Sequence, residues 1–335
     1  MFKLLNINCR AEKSLWGLGL LLTLVMTGCA NQTVTLNEAS RQNLQGAFSV
    51  PEENIIVPTF NRLAARRDQA NIIKLSEYLD EKAVTDNDKA RIFYTLGVSY
   101  DRLNMEVMAR TMFMNALMQK SNYSDPYNFI GIYMASDGRL ADALEAFDSA
   151  LELDAKNSYV YFNRGIVLYY ANKFSQARDD LLAFYEKFKE DPYILLWLYL
   201  DERQLFDEYT ARQNLRDRFS KVGFSKQKEL WGFEIIKYYL NDISERAFIE
   251  GIRATGADQD AMSEHLCEAY FYMGKQAQAR GNDKLAYDYF HLAAATQLYG
   301  FLECRYALHE IRRIESRHGI TEDLAEDFGI ENLEQ

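Results

Sequence analysis

Histidine, cysteine and proline are scarce in this 335-residue chain, four of each, and each scarcity closes a line of reading. The histidines are His265, His291, His309 and His318, and none is spaced with cysteine or acidic residues as a metal site requires. HExxH and CxxC are absent, as are GxSxG, a P-loop and a dinucleotide-binding GxGxxG. Close carboxylate pairs such as Asp179-Asp180 fit the solvated faces of amphipathic helices, and His291 reads as a surface residue. Nothing argues for catalysis, a metal or a cofactor, so the chain reads as a non-enzyme. Lys and Arg fall short of Asp and Glu, giving a net charge of −11. That balance disfavours nucleic acid, whose affinity rests on cations neutralising phosphate. No strand-like alternation occurs, and the prolines fall at segment boundaries or near helix starts, so the expected fold is all-α.

What is present is a beat. Gly97, Gly131 and Gly165 are spaced by 34 residues, and Ala109, Ala143 and Ala177 follow each by twelve. Phe113, Phe147 and Leu181 follow by sixteen, and Ala116, Ala150 and Phe184 by nineteen. A 34-residue period is that of the tetratricopeptide repeat, a helix–turn–helix unit that stacks into a solenoid. Counting from Ala90, three repeats occupy 90–191, with Phe184 a large residue where a small one is usual. A fourth match, with Gly274, Ala277, Ala286, Phe290 and Ala293, spans 267–300. Asp137-Gly138-Arg139 and Arg280-Gly281-Asn282 read as turns between the paired helices.

Between them, 192–266 keeps helical periodicity without the repeat columns. Leu195, Leu196, Leu198 and Leu200 open one helix; Phe206, Leu215 and Phe219 mark a second, and Trp231, Ile235, Ile236, Tyr239 and Leu240 a third. A helix over about 302–317 is expected to cap the solenoid, leaving an acidic tail within 301–335. Residues 58–89 read as an N-terminal helical segment whose junction with the first repeat carries a capping pair, Thr85 and Asp88. Cys267 and Cys304 are expected at the starts of two neighbouring helices, where either a disulfide or two buried thiols would fit.

The N-terminus reads as an export signal over 1–28. Lys3, Arg10 and Lys13 precede an apolar run from Leu15 to Met26, too short for an easy bilayer crossing. It ends in Met26-Thr27-Gly28-Cys29, which resembles a bacterial lipobox in which the cysteine becomes lipidated. Acyl chains on Cys29 would hold the chain on a membrane without spanning it. Ala30 after the cysteine points to the outer membrane, and the polar stretch 29–57 reads as a flexible tether.

Solenoids of this type bind other proteins through a concave face lined by fixed repeat positions. Here they are Arg91, Tyr94, Val98 and Asp101, then Asp125, Asn128, Ile132 and Ala135, then Tyr159, Phe162, Ile166 and Tyr169. The Lys and Asn clamp that holds a terminal carboxylate in chaperone-tail readers is missing, and the groove is apolar and aromatic instead. Tyr94, Val98, Asn128, Ile132, Tyr159, Phe162, Ile166 and Tyr169 are therefore the candidate partner residues. The rival reading packs the aromatics of the third repeat against the helices of 192–266.

Tyr127-Asn128-Phe129-Ile130-Gly131-Ile132-Tyr133, Asn163-Arg164-Gly165-Ile166, Leu196-Trp197-Leu198-Tyr199-Leu200 and Arg305-Tyr306-Ala307-Leu308 resemble a family of outer-membrane tetratricopeptide-repeat lipoproteins. The resemblance covers about 59–317 plus Cys29 and is most specific over 125–200. It implies a homodimeric, non-catalytic adaptor on the outer membrane facing the periplasm, with dimer contacts in the segment Thr59 to Leu79. The implied partners are a tail-specific protease, a murein endopeptidase delivered to it, and other peptidoglycan hydrolases, in cell-envelope growth and division. The competing expectation is a lipoprotein that assembles or tethers envelope components with no protease involved.

Overall fold

The computed structural model describes residues 43–44, 46–57, 62–79, 84–255 and 258–320. The export signal, Cys29 and the tail beyond 320 lie outside the described residues. Ser49–Arg312 form one unit, and Met1–Phe48 with Arg313–Gln335 form another; the candidate site lies in the first. Fifteen α-helices and no strand occur among the described residues. They are α1 (Arg62–Leu79), α2 (Asp86–Arg102), α3 (Glu106–Gln119), α4 (Ser124–Ser136), α5 (Leu140–Leu153), α6 (Ser158–Tyr170), α7 (Phe174–Tyr185) and α8 (Pro192–Leu205). There follow α9 (Glu208–Ser220), α10 (Phe224–Glu229), α11 (Gly232–Tyr239), α12 (Glu245–Ala254), α13 (Gln259–Ala279), α14 (Asp283–Ala294) and α15 (Leu302–Arg317).

The 34-residue beat is a packing rule. In the hairpins α2/α3, α4/α5 and α13/α14 the repeat glycine lies against the aromatic ring sixteen residues on. A Cβ on Gly97, Gly131 or Gly274 would sit 2.6, 2.7 or 2.6 Å from the ring of Phe113, Phe147 or Phe290. In α6/α7 the pair is Gly165 and Leu181, at 3.0 Å. Those four large residues are wholly buried, as are Ala109, Ala143, Ala177 and Ala286 beside them. A glycine paid for in helix propensity is thus returned as a close crossing over an aromatic ring.

A second column closes each hairpin. The first helix ends on a left-handed residue: Asn104 (φ 56°), Gly138 (77°), Asn172 (57°) and Gly281 (75°). The next amide then reaches back five residues, Met105 N to Tyr100 O at 2.9 Å, Arg139 N to Met134 O at 2.8 Å, Lys173 N to Leu168 O at 2.9 Å and Asn282 N to Ala277 O at 3.0 Å. This Schellman arrangement satisfies carbonyls that the helix end would leave bare. Gly138 and Gly281 are the turn glycines read from the sequence, while Asn104 and Asn172 fill the same role unannounced. The expected cap at α2 is present, with Thr85 Oγ1 accepting from Asp88 N at 3.2 Å and donating to its carboxylate at 2.6 Å.

Phe184, the departure in the third repeat, is buried, stacks on Phe162 at 4.7 Å and lies tilted against Phe188 at 4.5 Å. The columns then break at Tyr199, which stands 34 residues after Gly165. Its buried ring meets Tyr239 edge-on at 5.5 Å, so no partner helix can cross there as closely as at a glycine. Phe206 ends α8 rather than belonging to the next helix, Trp231 only leads into α11, and α10 and α12 are additional to the expected three. α13 begins at Gln259, capped by Asp258, so Cys267 is in mid-helix and not at a helix start. Cys267 and Cys304 are buried free thiols.

Two further expectations are corrected. The polar segment before Pro58 is not a free tether along its last part. Ser49 donates from both N and Oγ to Asp288 at 2.7 Å, and Asn54 Nδ2 donates to Glu245 at 2.6 Å. The Tyr270 hydroxyl accepts from Ile56 N and donates to Asn54 O, both at 2.8 Å, and Arg253 bonds the Glu53 carbonyl. Val50 and Asn54 are buried. A polar strap therefore lies on α12–α14, its backbone groups met by partners about 200 residues away.

α15, expected as a terminal cap, instead runs along the first three repeats. Arg305 meets Asp101 of α2 at 2.5 Å, Tyr306 stacks on Tyr170 of α6 at 4.9 Å, and Arg312 donates to Ser136 O of α4 at 2.8 Å. Glu310 is wholly buried and accepts from Lys275 Nζ at 2.5 Å, Gln278 at 2.8 Å and the Tyr170 hydroxyl at 3.0 Å. Every such bond matters, because a buried charge is tolerated only when paired and hydrogen-bonded.

Candidate functional site

The first helices of the repeats (α2, α4, α6) line a concave cavity of about 550 Å³, whose far wall is the Gly300–Arg305 stretch leading into α15. Six of the eight candidate groove residues line it: Tyr94, Val98, Asn128, Ile132, Tyr159 and Phe162. Tyr159 is the most open of them, 59% exposed, and leans on Phe184 and Phe188 at 5.6 and 5.7 Å. Tyr94 forms the opposite end, tilted against Phe113 and Tyr123 and edge-on to Phe129, all within 6 Å. Asn128 is partly committed, since its Oδ1 accepts from Asn163 of the next repeat at 3.0 Å.

Ile166 and Tyr169 do not reach the cavity. Ile166 is wholly buried and Tyr169 nearly so, its ring edge-on to Trp197 of α8 at 5.9 Å. Tyr169 thus packs against 192–266 as the rival reading has it, whereas Tyr159 leans on Phe184 and Phe188 of its own repeat, and Phe162, 8% exposed, stacks on Phe184. The cause is the coverage of the third repeat by α8 and α15, which turns the inner part of that groove into core.

The cavity also holds acids that the sequence reading left out. Asp191, Tyr193, Glu268 and Glu303 line it together with Asp125. Burial pushes Asp125 up, as it does Asp191, whose carboxylate nonetheless accepts from Tyr193 N and Ile194 N at 2.8 and 3.2 Å. Glu303, buried and accepting from the Tyr272 hydroxyl at 3.3 Å, is pushed up to about 7. Burial, with Glu303 close by, drives Glu268 well above the usual carboxylate range. A signal for Glu268 was available: counted from Cys267, it occupies the second position of the fourth repeat, a groove column applied only to the first three. Tyr193 falls on the same column, 34 residues after Tyr159.

Among the described residues no helix is long and apolar enough to cross a membrane, and no group of His, Cys, Asp and Glu could hold a metal ion. The groove combines aromatic walls, amide hydrogen-bonding groups and buried acids.

No family model matches the chain. Among solved structures it is similar to the apo form of RapI, with a TM-score of 0.50 and 16% identity over 75% of this chain and 94% of that one. It is similar also to Pseudomonas aeruginosa pilF, with a TM-score of 0.41 and 14% identity over 69% of this chain and 99% of that one. Yeast Tom70 gives 0.38 and 14% over 88% of this chain and 72% of that one. At such identity likeness bears on fold alone. The glycine and turn columns and the likeness to RapI agree: this chain folds as an all-α helical solenoid of the tetratricopeptide type.

Proposed function

We propose that this chain is a non-catalytic adaptor, held by a lipidated Cys29 on the outer membrane and facing the periplasm, that binds partner proteins in the α2–α4–α6 groove. One observation carries the binding reading: an open aromatic cavity of about 550 Å³ whose most exposed ring, Tyr159, is 59% open to solvent. The lipobox and the residues of 125–200 resemble the NlpI family of lipoproteins, and that resemblance supplies the partners: a tail-specific periplasmic protease, a murein endopeptidase and other peptidoglycan hydrolases. An adaptor that holds protease and substrate together, as a homodimer, raises the effective concentration of one for the other. The test is an affinity capture from solubilised envelopes with the full lipidated chain as bait. Recovery of a tail-specific protease, lost with Tyr159→Ala, is the expected result. Recovery of envelope assembly components without a protease would replace the protease-adaptor reading with that of a tether.

A further inference from the structure

The groove is acidic at one end and lacks the cations to balance it. Asp125, Asp191, Glu268 and Glu303 all face the cavity. Of the two arginines that line it, Arg305 is taken by Asp101 at 2.5 Å, and Arg102 lies 3.5 Å from Asp68. The other acids have neutral partners only: Asn157 and Tyr123 for Asp125, backbone amides for Asp191, and the Tyr272 hydroxyl for Glu303. Glu268 is the decisive one. It is 6% exposed and lines the cavity, and although the Tyr193 hydroxyl donates to its carboxylate, its Oε2 has no hydrogen-bond partner among the described residues. A buried carboxylate oxygen without a donor is costly to the folded chain, and a cationic donor from outside would remove that cost.

Resting on the groove reading above, we propose that the Glu268–Glu303 end of the cavity receives a lysine or arginine side chain presented by an apolar or aromatic stretch of the partner protein. Charge complementarity fixes the sign of the ligand, and the rings of Tyr159 and Phe162 supply apolar walls for the flanking residues. Burial, with other carboxylates close by, also raises the affinity of both glutamates for protons. Tyr193, Tyr272, Asp191, Glu264 and Cys267 are the other titratable groups beside them.

The experiment is a selection of short random peptides against the full chain, counter-screened on Tyr159→Ala to keep only groove binders. Peptides carrying Lys or Arg beside aromatic or aliphatic residues are expected. Replacing the lysine of one such peptide by norleucine should weaken binding at least about thirty-fold, as the loss of one partner of a desolvated charge pair does. The isosteric Glu268→Gln should erase most of that difference between the two peptides, a double-mutant cycle that does not depend on absolute affinity. Groove binders that lack a cation, or that tolerate norleucine, would overturn the inference and leave the groove reading standing. A selection yielding no binder sensitive to Tyr159→Ala would overturn both.

Discussion

Asp201 of α8 is wholly buried, and neither of its carboxylate oxygens has a hydrogen-bond partner among the described residues. Its neighbour Glu202 is equally buried but holds Arg218 at 2.6 Å and Arg178 at 3.3 Å, and those partners bring it below its usual value. Burial, with the Glu202 charge next to it, pushes Asp201 up to about 7 from an ordinary 3.8. The folded chain therefore keeps a proton on Asp201 that the unfolded chain releases between those two values. Its contribution to stability is full below the unfolded value and is lost as pH rises through about 7. Asp201→Asn removes the charge with little change of shape. The Tm of this variant relative to the parent should climb steadily from about pH 4 to about pH 7 and then level off. Thermal melts across that range check it, and a difference that does not vary with pH would show that Asp201 is ionised in the folded chain.

The repeat hairpin makes its own prediction at the scale of the element. Gly97→Ala drives a methyl into the Phe113 ring and should destabilise by about 1–3 kcal/mol, the usual cost of overfilling a tight core. Gly251, inside α12, has nothing within 4 Å of where its Cβ would be, so Gly251→Ala should stabilise by about 0.5–1 kcal/mol. Urea unfolding of the two variants separates a glycine needed for a crossing from one that merely weakens a helix.

The same contrast explains what was legible. Gly97, Gly131, Gly165 and Gly274 announce hairpins because a glycine facing a large residue at fixed distance is local information. Between Tyr199 and Gly274 no such column exists, and the extents of α10 and α12 follow from tertiary neighbours instead. Trp231 illustrates this: it reads as helical by periodicity yet stacks on His265 and Phe248, at 4.1 and 5.6 Å, from a position before α11.

For the whole of the Ser49–Arg312 unit, the decisive contacts are long-range and polar. Arg305 with Asp101, Glu310 with Tyr170, and the strap at Asn54 with Glu245 join residues far apart in sequence. None belongs to a periodic pattern, so α15 reads from sequence as a cap and the strap as a tether. Their placement reshapes the site: Ile166 and Tyr169 become core, and Glu303 of α15 becomes a wall of the groove. Tyr94, Val98, Asn128, Ile132, Tyr159 and Phe162 stay where their repeat positions put them, since those depend only on the hairpins themselves.

The central claim is that partners enter this groove and not some other surface, and the chain offers a matched control. Val107 on α3 is 78% exposed and does not line the cavity, whereas Tyr159 is 59% exposed within it. A photoreactive phenylalanine analogue placed singly at each position, in cells and in the full chain, reads the contact directly. The account predicts a crosslink from position 159 to a periplasmic protease or peptidoglycan hydrolase and none to that protein from 107; a crosslink from 107 with silence at 159 would contradict it.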